Sequence, residues 1–156
     1  MAKLYLEDLE AGLRLESPWY TVSRDEIVQF ARTWDPYDFH LDEGAAERSI
    51  FGGLAACTAH IFAISSRLAH DLPDSFALVA GLGGDGLQIV APLRAGAQVR
   101  LVRCFTAIRP SKSRPQAGVV AMTDTLELPS GAVVFRTSGS VLVARRETES
   151  VLHEGA

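Results

Sequence analysis

The stretch FARTWDPYDFHLDEGAAERSIFGGLAACTAHIFAISSRLAH, residues 30–70, says most about the fold and the chemistry of this chain. It opens in a loop rich in turn-forming residues, where Asp35 and His40 stand five positions apart. It then crosses the pair Gly52-Gly53 and enters the longest apolar segment of the chain. An acid and a base beside the start of a buried helix suit chemistry on a carbonyl compound.

The apolar segment, residues 54–69, predicts the central helix of the fold. Residues three or four positions apart follow one helical face: Cys57, Ile61, Ile64 and Leu68. A helix that is apolar almost all round is a buried helix. We expect it to begin at Leu54, with the two preceding glycines freeing the backbone for a tight entry.

The chain changes character after Pro73, where β-forming segments alternate with turns. The predicted strands are residues 76–82, 87–90, 98–108, 118–128 and 132–143. Helices followed by a run of strands indicate an α+β domain in which a curved antiparallel sheet wraps one long helix. We expect residues 1–156 to form this single domain, with its core over about 15–145.

The residues before the central helix predict smaller elements. A first strand is expected within residues 14–22. Ser23-Arg24-Asp25-Glu26 is a capping box, which predicts a helix running to about Thr33 before Pro36 stops it. Residues 34–42 are expected to form a loop, and 43–48 a short helical turn.

Composition excludes several classes of protein. The 156 residues are 47% hydrophobic and 22% charged with a net charge of −4, so nucleic acid is not an expected partner. No apolar run reaches the ~18 residues of a membrane span. No signal-peptide core is present at the N-terminus. Cys57 and Cys104 lack metal-ligand spacing, and we interpret both as small buried hydrophobes. A cytoplasmic enzyme or binding protein without a metal or cofactor fits these features.

Asp35 and His40 admit two interpretations. In one, Asp35 caps a turn before Pro36 and His40 is an ordinary loop histidine. In the other, the nearby aromatic residues Trp34, Tyr37 and Phe39 shield the carboxylate from water and make it a better base. Adding or removing water requires two such proton-transfer groups beside a hydrophobic cleft. The spacing alone leaves both interpretations open.

The predicted helix start, Gly53 to Thr58, is a second candidate. The first amides of a helix lack internal partners and carry the positive end of its dipole, so they can hold a thioester oxygen and stabilise an enolate. Alternatively, the glycines only relieve crowding where the helix meets the sheet.

Residues 30–40, FARTWDPYDFH, together with Ser49-Ile50-Phe51-Gly52-Gly53-Leu54, resemble the signature of the MaoC-like dehydratases, the (R)-specific enoyl-CoA hydratases. Residues 109–115, RPSKSRP, and Gly118-Val119-Val120 resemble a late hairpin of one branch of that family. The likeness covers roughly residues 15–145.

The resemblance implies a hotdog fold, a long helix wrapped by an antiparallel sheet, that dimerises edge to edge. It also implies that Asp35 and His40 hold and activate the water that adds to an enoyl thioester. The amide of Thr58 would hold the thioester oxygen, and Ser66 would line the site unless it is only a helix-packing hydroxyl. The chain departs from the family at Tyr37-Asp38, where Asn-Pro is usual, and at Cys57-Thr58, where His-Gly is usual.

Three other parts of the sequence are candidates for a binding or catalytic role. Lys112 and Arg114 are either a solvated hairpin tip or the residues that meet the phosphates of coenzyme A. His60 is interpreted as a satisfied core histidine. Gly83-Gly84-Asp85-Gly86 lacks the Lys-Ser/Thr of a phosphate loop, so we interpret it as backbone relief near a ligand tunnel or dimer seam.

The sequence is compatible with three functions. The leading hypothesis is reversible hydration of a trans-2-enoyl-CoA to the (R)-3-hydroxyacyl-CoA by a homodimer or larger homo-oligomer. A hotdog thioesterase is the alternative enzyme, although residues 54–69 contain no Asp or Glu to activate water on the central helix. The third possibility is a non-catalytic acyl-thioester binding protein.

Overall fold

The computed structural model describes residues 2–146. Their helices are α1 (Arg24–Trp34), α2 (Asp38–Leu41), α3 (Glu43–Arg48) and α4 (Thr58–Ala69), and a single 3₁₀ turn spans Leu6–Asp8. The strands are β1 (Lys3–Leu4), β2 (Arg14–Glu16), β3 (Tyr20–Thr21), β4 (Ser75–Phe76), β5 (Leu78–Ile89), β6 (Gln98–Pro110), β7 (Ala117–Glu127) and β8 (Val133–Ala144).

The main sheet is antiparallel and runs in the order β2-β6-β7-β8-β5, with β3 also paired to β6. Alternate residues of β6, Val99, Leu101 and Phe105 among them, are fully buried and belong to one core with Ile61, Ile64 and Leu68 of α4. Strand periodicity puts such residues on one face of a sheet. This confirms the predicted α+β arrangement of a curved sheet wrapped around one long helix.

The capping box before α1 is confirmed. The amide of Glu26 donates to Ser23 Oγ at 3.1 Å, and the Glu26 carboxylate accepts from the Ser23 amide at 3.1 Å. Reciprocal bonds of this kind satisfy donors that a helix start leaves unpaired. The helix ends at Trp34, one residue beyond the predicted end, and Asp35 becomes its C-cap residue.

Two predicted boundaries before and at the central helix are wrong. Residues 34–42 are not all loop, because α2 forms there, with the His40 amide donating to the Tyr37 carbonyl at 2.9 Å. The central helix begins at Thr58 and not at Leu54, since the Ala56 amide instead donates to the Leu93 carbonyl at 2.8 Å. Hydrogen bonds to a segment distant in sequence thus override the local helical periodicity.

The two strands predicted at 76–82 and 87–90 form the single strand β5, Leu78–Ile89. Phe76 belongs instead to β4. The glycines between them introduce register shifts opposite β8 and do not reverse the chain. A Cβ on Gly84 would stand 2.9 Å from the Ser138 carbonyl oxygen, so only glycine fits the close approach of the two strands there. The interpretation of this segment as backbone relief within a strand is confirmed.

Strand β5 forms one edge of the sheet and is exposed along its whole length. Its exposed apolar side chains are Leu78, Val79, Leu82, Leu87 and Ile89. Among the described residues, no helix has both the length and the apolar character needed to cross a membrane.

Candidate active site

Asp35 is presented by the end of α1. Its amide donates to the Ala31 carbonyl at 2.9 Å, which closes the last turn of the helix, and its backbone then leaves the helical region before Pro36. The side chain is 33% exposed. The carboxylate is therefore fixed at its base by the helix while still in contact with solvent.

His40 lies on α2 and is buried. Its Nδ1 is 2.8 Å from the carbonyl oxygen of Ala55. Because a carbonyl oxygen can only accept, Nδ1 must carry the proton, and in the neutral ring Nε2 is left with a free lone pair. The Ala55 carbonyl thus sets both the orientation and the tautomer of the imidazole.

The two side chains converge, which the sequence spacing alone did not decide. His40 Nε2 lies 4.0 Å from Asp35 Oδ2. This distance is too long for a direct hydrogen bond. A single water donating to both acceptors through bonds of about 2.8 Å would bridge roughly 4–4.5 Å. The geometry therefore suits one water held between a carboxylate and a neutral imidazole.

The pair opens onto a cavity of about 330 Å³. The start of α4 forms one wall, and the end of β5 with the residues after it forms another; the lining side chains include Thr58, Ile61, Ile89, Val90 and Pro92. Thr58 is the first residue of α4, so its amide is one of those without a partner inside the helix. Acid, base and helix start thus border one apolar cavity.

Gly53 is not where the sequence placed it. It lies five residues before the first residue of α4, with φ of +151°, and it does not line the cavity. A Cβ at this position would stand 2.8 Å from Nη1 of Arg94. Gly53 therefore makes room for the Arg94 guanidinium, while Thr58 alone of the two marks the helix start.

The other predicted site residues lie apart from the pair. Ser66 lines a second cavity, between α4 and the sheet, and does not line the one below Asp35. Lys112 and Arg114 occupy the exposed turn between β6 and β7 and line neither cavity. Among residues 2–146, no group of three potential ligands could hold a metal ion.

The aromatic environment differs from the expected one. Trp34 is 71% exposed and Tyr37 is 61% exposed, so neither shields the carboxylate in this chain. Phe39 packs edge-on against the His40 ring at 4.7 Å, and Phe51 lies 5.8 Å from it. The aromatic shell surrounds the imidazole and not the acid, so the expectation for Trp34 and Tyr37 is wrong.

Two titratable groups near the site are buried. Burial raises the pKa of the Cys57 thiol, and the Asp35 carboxylate raises it further, so the thiol stays protonated. Burial lowers the pKa of His60, although Glu26 acts in the opposite direction. His60 Nε2 is 3.2 Å from Glu26 Oε1, but Nδ1 has no hydrogen-bond partner among residues 2–146, so only one of the two ring nitrogens is paired there.

Sequence reasoning missed several neighbours of the pair. These are the Ala55 carbonyl, which orients His40, the segment 89–92 that closes the cavity, and Arg94 beside Gly53. Only Arg94, a basic residue following Pro92 in an otherwise apolar segment, offered a signal. A backbone carbonyl offers none, because every residue has one.

Comparison with known proteins places these features in context. A family model described as the MaoC-like domain matches residues 10–126. A MaoC-like dehydratase from Rhodospirillum rubrum is 39% identical, with a TM-score of 0.84 over 92% of this chain and 98% of that chain. The unliganded (R)-hydratase PhaJ1 from Pseudomonas aeruginosa is 17% identical, with a TM-score of 0.74 over 92% and 88% of the two chains, and shares the fold. The uncharacterised protein YdeM of Bacillus subtilis is 33% identical over 63 residues, 40% of this chain, and the match spans 45% of that protein.

Proposed function

The chain belongs to the family of MaoC-like domains, and on this premise we propose that it is a hydro-lyase acting on trans-2-enoyl-CoA. It would add water reversibly across the 2,3 double bond and give the (R)-3-hydroxyacyl-CoA. The observation that supports this most directly is the 4.0 Å separation of His40 Nε2 and Asp35 Oδ2 above a cavity bordered by a helix start.

The chemistry follows from the two acceptors. A water held between them loses one proton to the pair as its oxygen attacks C3 of the substrate. The electron pair of the double bond moves toward the thioester carbonyl, and C2 then takes up one proton from the pair. The pair gains and returns one proton, so it ends in its starting state. The division of the two proton transfers between Asp35 and His40 stays open.

The start of α4 would stabilise the negative charge that develops on the thioester oxygen. The Thr58 amide has no partner within the helix, and α4 is 12 residues long, so its dipole adds to the field at that end. Donors already in place where charge develops are an effective way to lower a barrier. Any residue but proline supplies this amide, so threonine in place of glycine is compatible with the role.

A thioesterase is the weaker alternative. A hotdog thioesterase typically activates water with a carboxylate on the central helix, whereas α4 contains no Asp or Glu. Non-catalytic binding is disfavoured by the convergence of acid and imidazole on a common space. Release of free thiol, or tight binding without turnover, would identify these alternatives.

We further propose that two copies pair through β5. A long exposed edge strand with apolar side chains is a template for pairing with another chain. Ile89, at the end of this strand, also lines the cavity below Asp35. Pairing at this edge would therefore cover exposed apolar surface and enclose the cavity.

The coenzyme A phosphates need a cationic partner. Lys112 and Arg114 remain predictions for this role. Arg94 is an additional candidate, because its guanidinium lies beside Gly53 and it has no carboxylate partner within residues 2–146. Its backbone is also bridged to Ala55, the residue that orients His40. A guanidinium at that position could bind phosphate through paired hydrogen bonds.

The test is loss of absorbance of the conjugated enoyl thioester when purified protein meets crotonyl-CoA and a longer enoyl-CoA. If the protein is a hydratase, the absorbance falls with wild type and stays constant with Asp35→Asn. Release of free thiol without hydration would favour the thioesterase. Chiral analysis of the product establishes whether the hydroxyl has the (R) configuration.

A further inference from the structure

A second cavity, of about 640 Å³, lies between α4 and the sheet. Its walls include apolar side chains, of which Phe62, Leu72, Phe76, Met122 and Val141 are examples. The same walls carry hydroxyl groups and two charged side chains, Arg103 and Asp124. A compartment for a plain hydrocarbon chain would not need buried charges, since withdrawing them from water is costly.

Arg103 and Asp124 form a close pair. Nε donates to Oδ1 at 2.8 Å and Nη2 donates to Oδ2 at 2.7 Å, and the two residues are only 6% and 8% exposed. The Phe76 ring packs against the guanidinium at 5.3 Å. Nη1 has no hydrogen-bond partner within residues 2–146, yet the side chain lines the cavity. Arginine has five N–H donors, so part of its donor capacity is left for a ligand.

Ser65 supplies a second polar group in the cavity. It is 3% exposed and lines the same cavity, and its hydroxyl makes no hydrogen bond in the part of the chain that the structure describes. The hydroxyl is therefore available as a donor to the space inside the cavity. Ser65 and Arg103 thus both offer N–H or O–H donors to the same cavity.

The second cavity lies beside the one below Asp35, along both α4 and the sheet. Ile61 lines the first and Phe62 the second, and on the sheet Leu101, Leu126, Phe135 and Ile89 form one cross-strand row. Arg103 and Asp124 stand in the row two residues further on, about 7 Å along the strands on the same face. Phe62 lines the second cavity, is half exposed, and has its ring centroid 6.3 Å from that of Phe135 in the first row.

We propose that the second cavity holds the distal part of the acyl group and selects a chain that carries an uncharged oxygen, a hydroxyl or keto group. The inference rests on the proposed hydratase function. Nη1 of Arg103 and the hydroxyl of Ser65 each offer a donor inside the cavity that would receive such an oxygen. A carboxylate fits less well, because Asp124 already neutralises Arg103 and would repel a second negative charge.

The experiment compares three enoyl-CoAs of equal length: trans-2-octenoyl-CoA, its 8-hydroxy derivative and its 8-carboxylate analogue. Wild type is expected to show a kcat/KM about five- to tenfold higher for the hydroxylated chain, as a gained hydrogen bond predicts. The double variant R103M/D124L removes both charges together, so neither residue of the pair is left as an unpaired buried charge. It should therefore reverse the preference toward the hydrocarbon chain. Arg109→Met, on the same strand outside the cavity, is the matched control and should keep the wild-type ratio.

The outcomes separate this inference from the proposed function. A ratio that R103M/D124L leaves unchanged, or a wild type that prefers the hydrocarbon, would overturn the inference while hydration stands. Highest activity on the carboxylate would also overturn it. If no enoyl-CoA is hydrated, the hydratase proposal falls, and calorimetric affinities of octanoyl-CoA and 8-hydroxyoctanoyl-CoA decide the inference without turnover. Should the double variant fail to fold, Ser65→Ala, expected to lower the ratio about two- to fivefold, replaces it.

Discussion

Replacing Asp35 by Asn tests the mechanism with a minimal change of shape. With Nδ1 of His40 donating to Ala55, Nε2 is an acceptor, and Asp35 is the other acceptor available to a water between them. An amide oxygen can still accept a hydrogen bond from that water, but it cannot take up a proton. The amide NH₂ can also donate to His40 Nε2 and occupy its lone pair.

The expected loss follows from what a positioned acid–base group contributes. Such groups contribute about 10²–10⁴-fold in rate, which corresponds to about 2.7–5.5 kcal/mol in barrier height. Folding should hardly change, because the Asp35 amide keeps its bond to the Ala31 carbonyl and the side chain is partly exposed. We expect the free energy of unfolding to stay within about 0.5 kcal/mol of wild type.

Steady-state hydration of crotonyl-CoA and a longer enoyl-CoA, together with urea unfolding of the same preparations, measures both quantities. Asp25→Asn, an exposed carboxylate at the other end of α1, is the matched control and should retain full activity. A kcat/KM for Asp35→Asn within threefold of the control would refute the assigned role. A large loss of stability would instead show that the carboxylate is structural.

Three further predictions concern the surroundings of the site. His60→Gln should make the free energy of unfolding depend less on pH. Burial lowers the pKa of His60 from its ordinary 6.5, so wild type loses stability as pH falls below 6.5. Urea unfolding of both proteins between pH 7.5 and 5 measures the difference. Leu82→Lys, in the exposed edge strand β5, should shift sedimentation from dimer toward monomer, and an unchanged mass would argue against pairing there. Arg94→Ala should raise KM for an enoyl-CoA about tenfold, because it removes a cation proposed to bind the coenzyme A phosphates. KM for the matching enoyl-pantetheine, which lacks the nucleotide phosphates, should stay unchanged. If only Lys112→Ala has this effect, the phosphates bind at the β6–β7 turn.

Local patterns predicted much of the fold because their physical causes are local. The capping box Ser23 to Glu26 uses bonds between residues three apart, and the residues buried by α4 recur at helical spacing. The predicted start of the central helix is wrong because backbone groups distant in sequence bond to that segment. Residues 54–57 continue the helical pattern, yet Leu93 and Ala95 bond to this segment and hold it extended.

The candidate pair shows the same division. The types and spacing of Asp35 and His40 were visible in the chain, and so was the helix whose start lies beside them. Their convergence to 4.0 Å depends on α2, a helix in a segment where the residue types predict a loop. The expected shielding by Trp34 and Tyr37 failed because a side chain's exposure depends on what packs over it, and both point into solvent here.

By itself, the sequence determined the α+β class, the order of helix and strands, and the acid and base five positions apart. Periodicity, capping and turn chemistry act over a few residues and can be read from the chain. Tertiary structure decided which nitrogen of His40 is free, since the Ala55 carbonyl lies 15 residues away. It also brought Arg103 to Asp124, 21 residues apart, by the register of β6 against β7. Hydrogen bonds and ion pairs between distant residues depend on how strands align and helices pack, and no local pattern specifies that alignment.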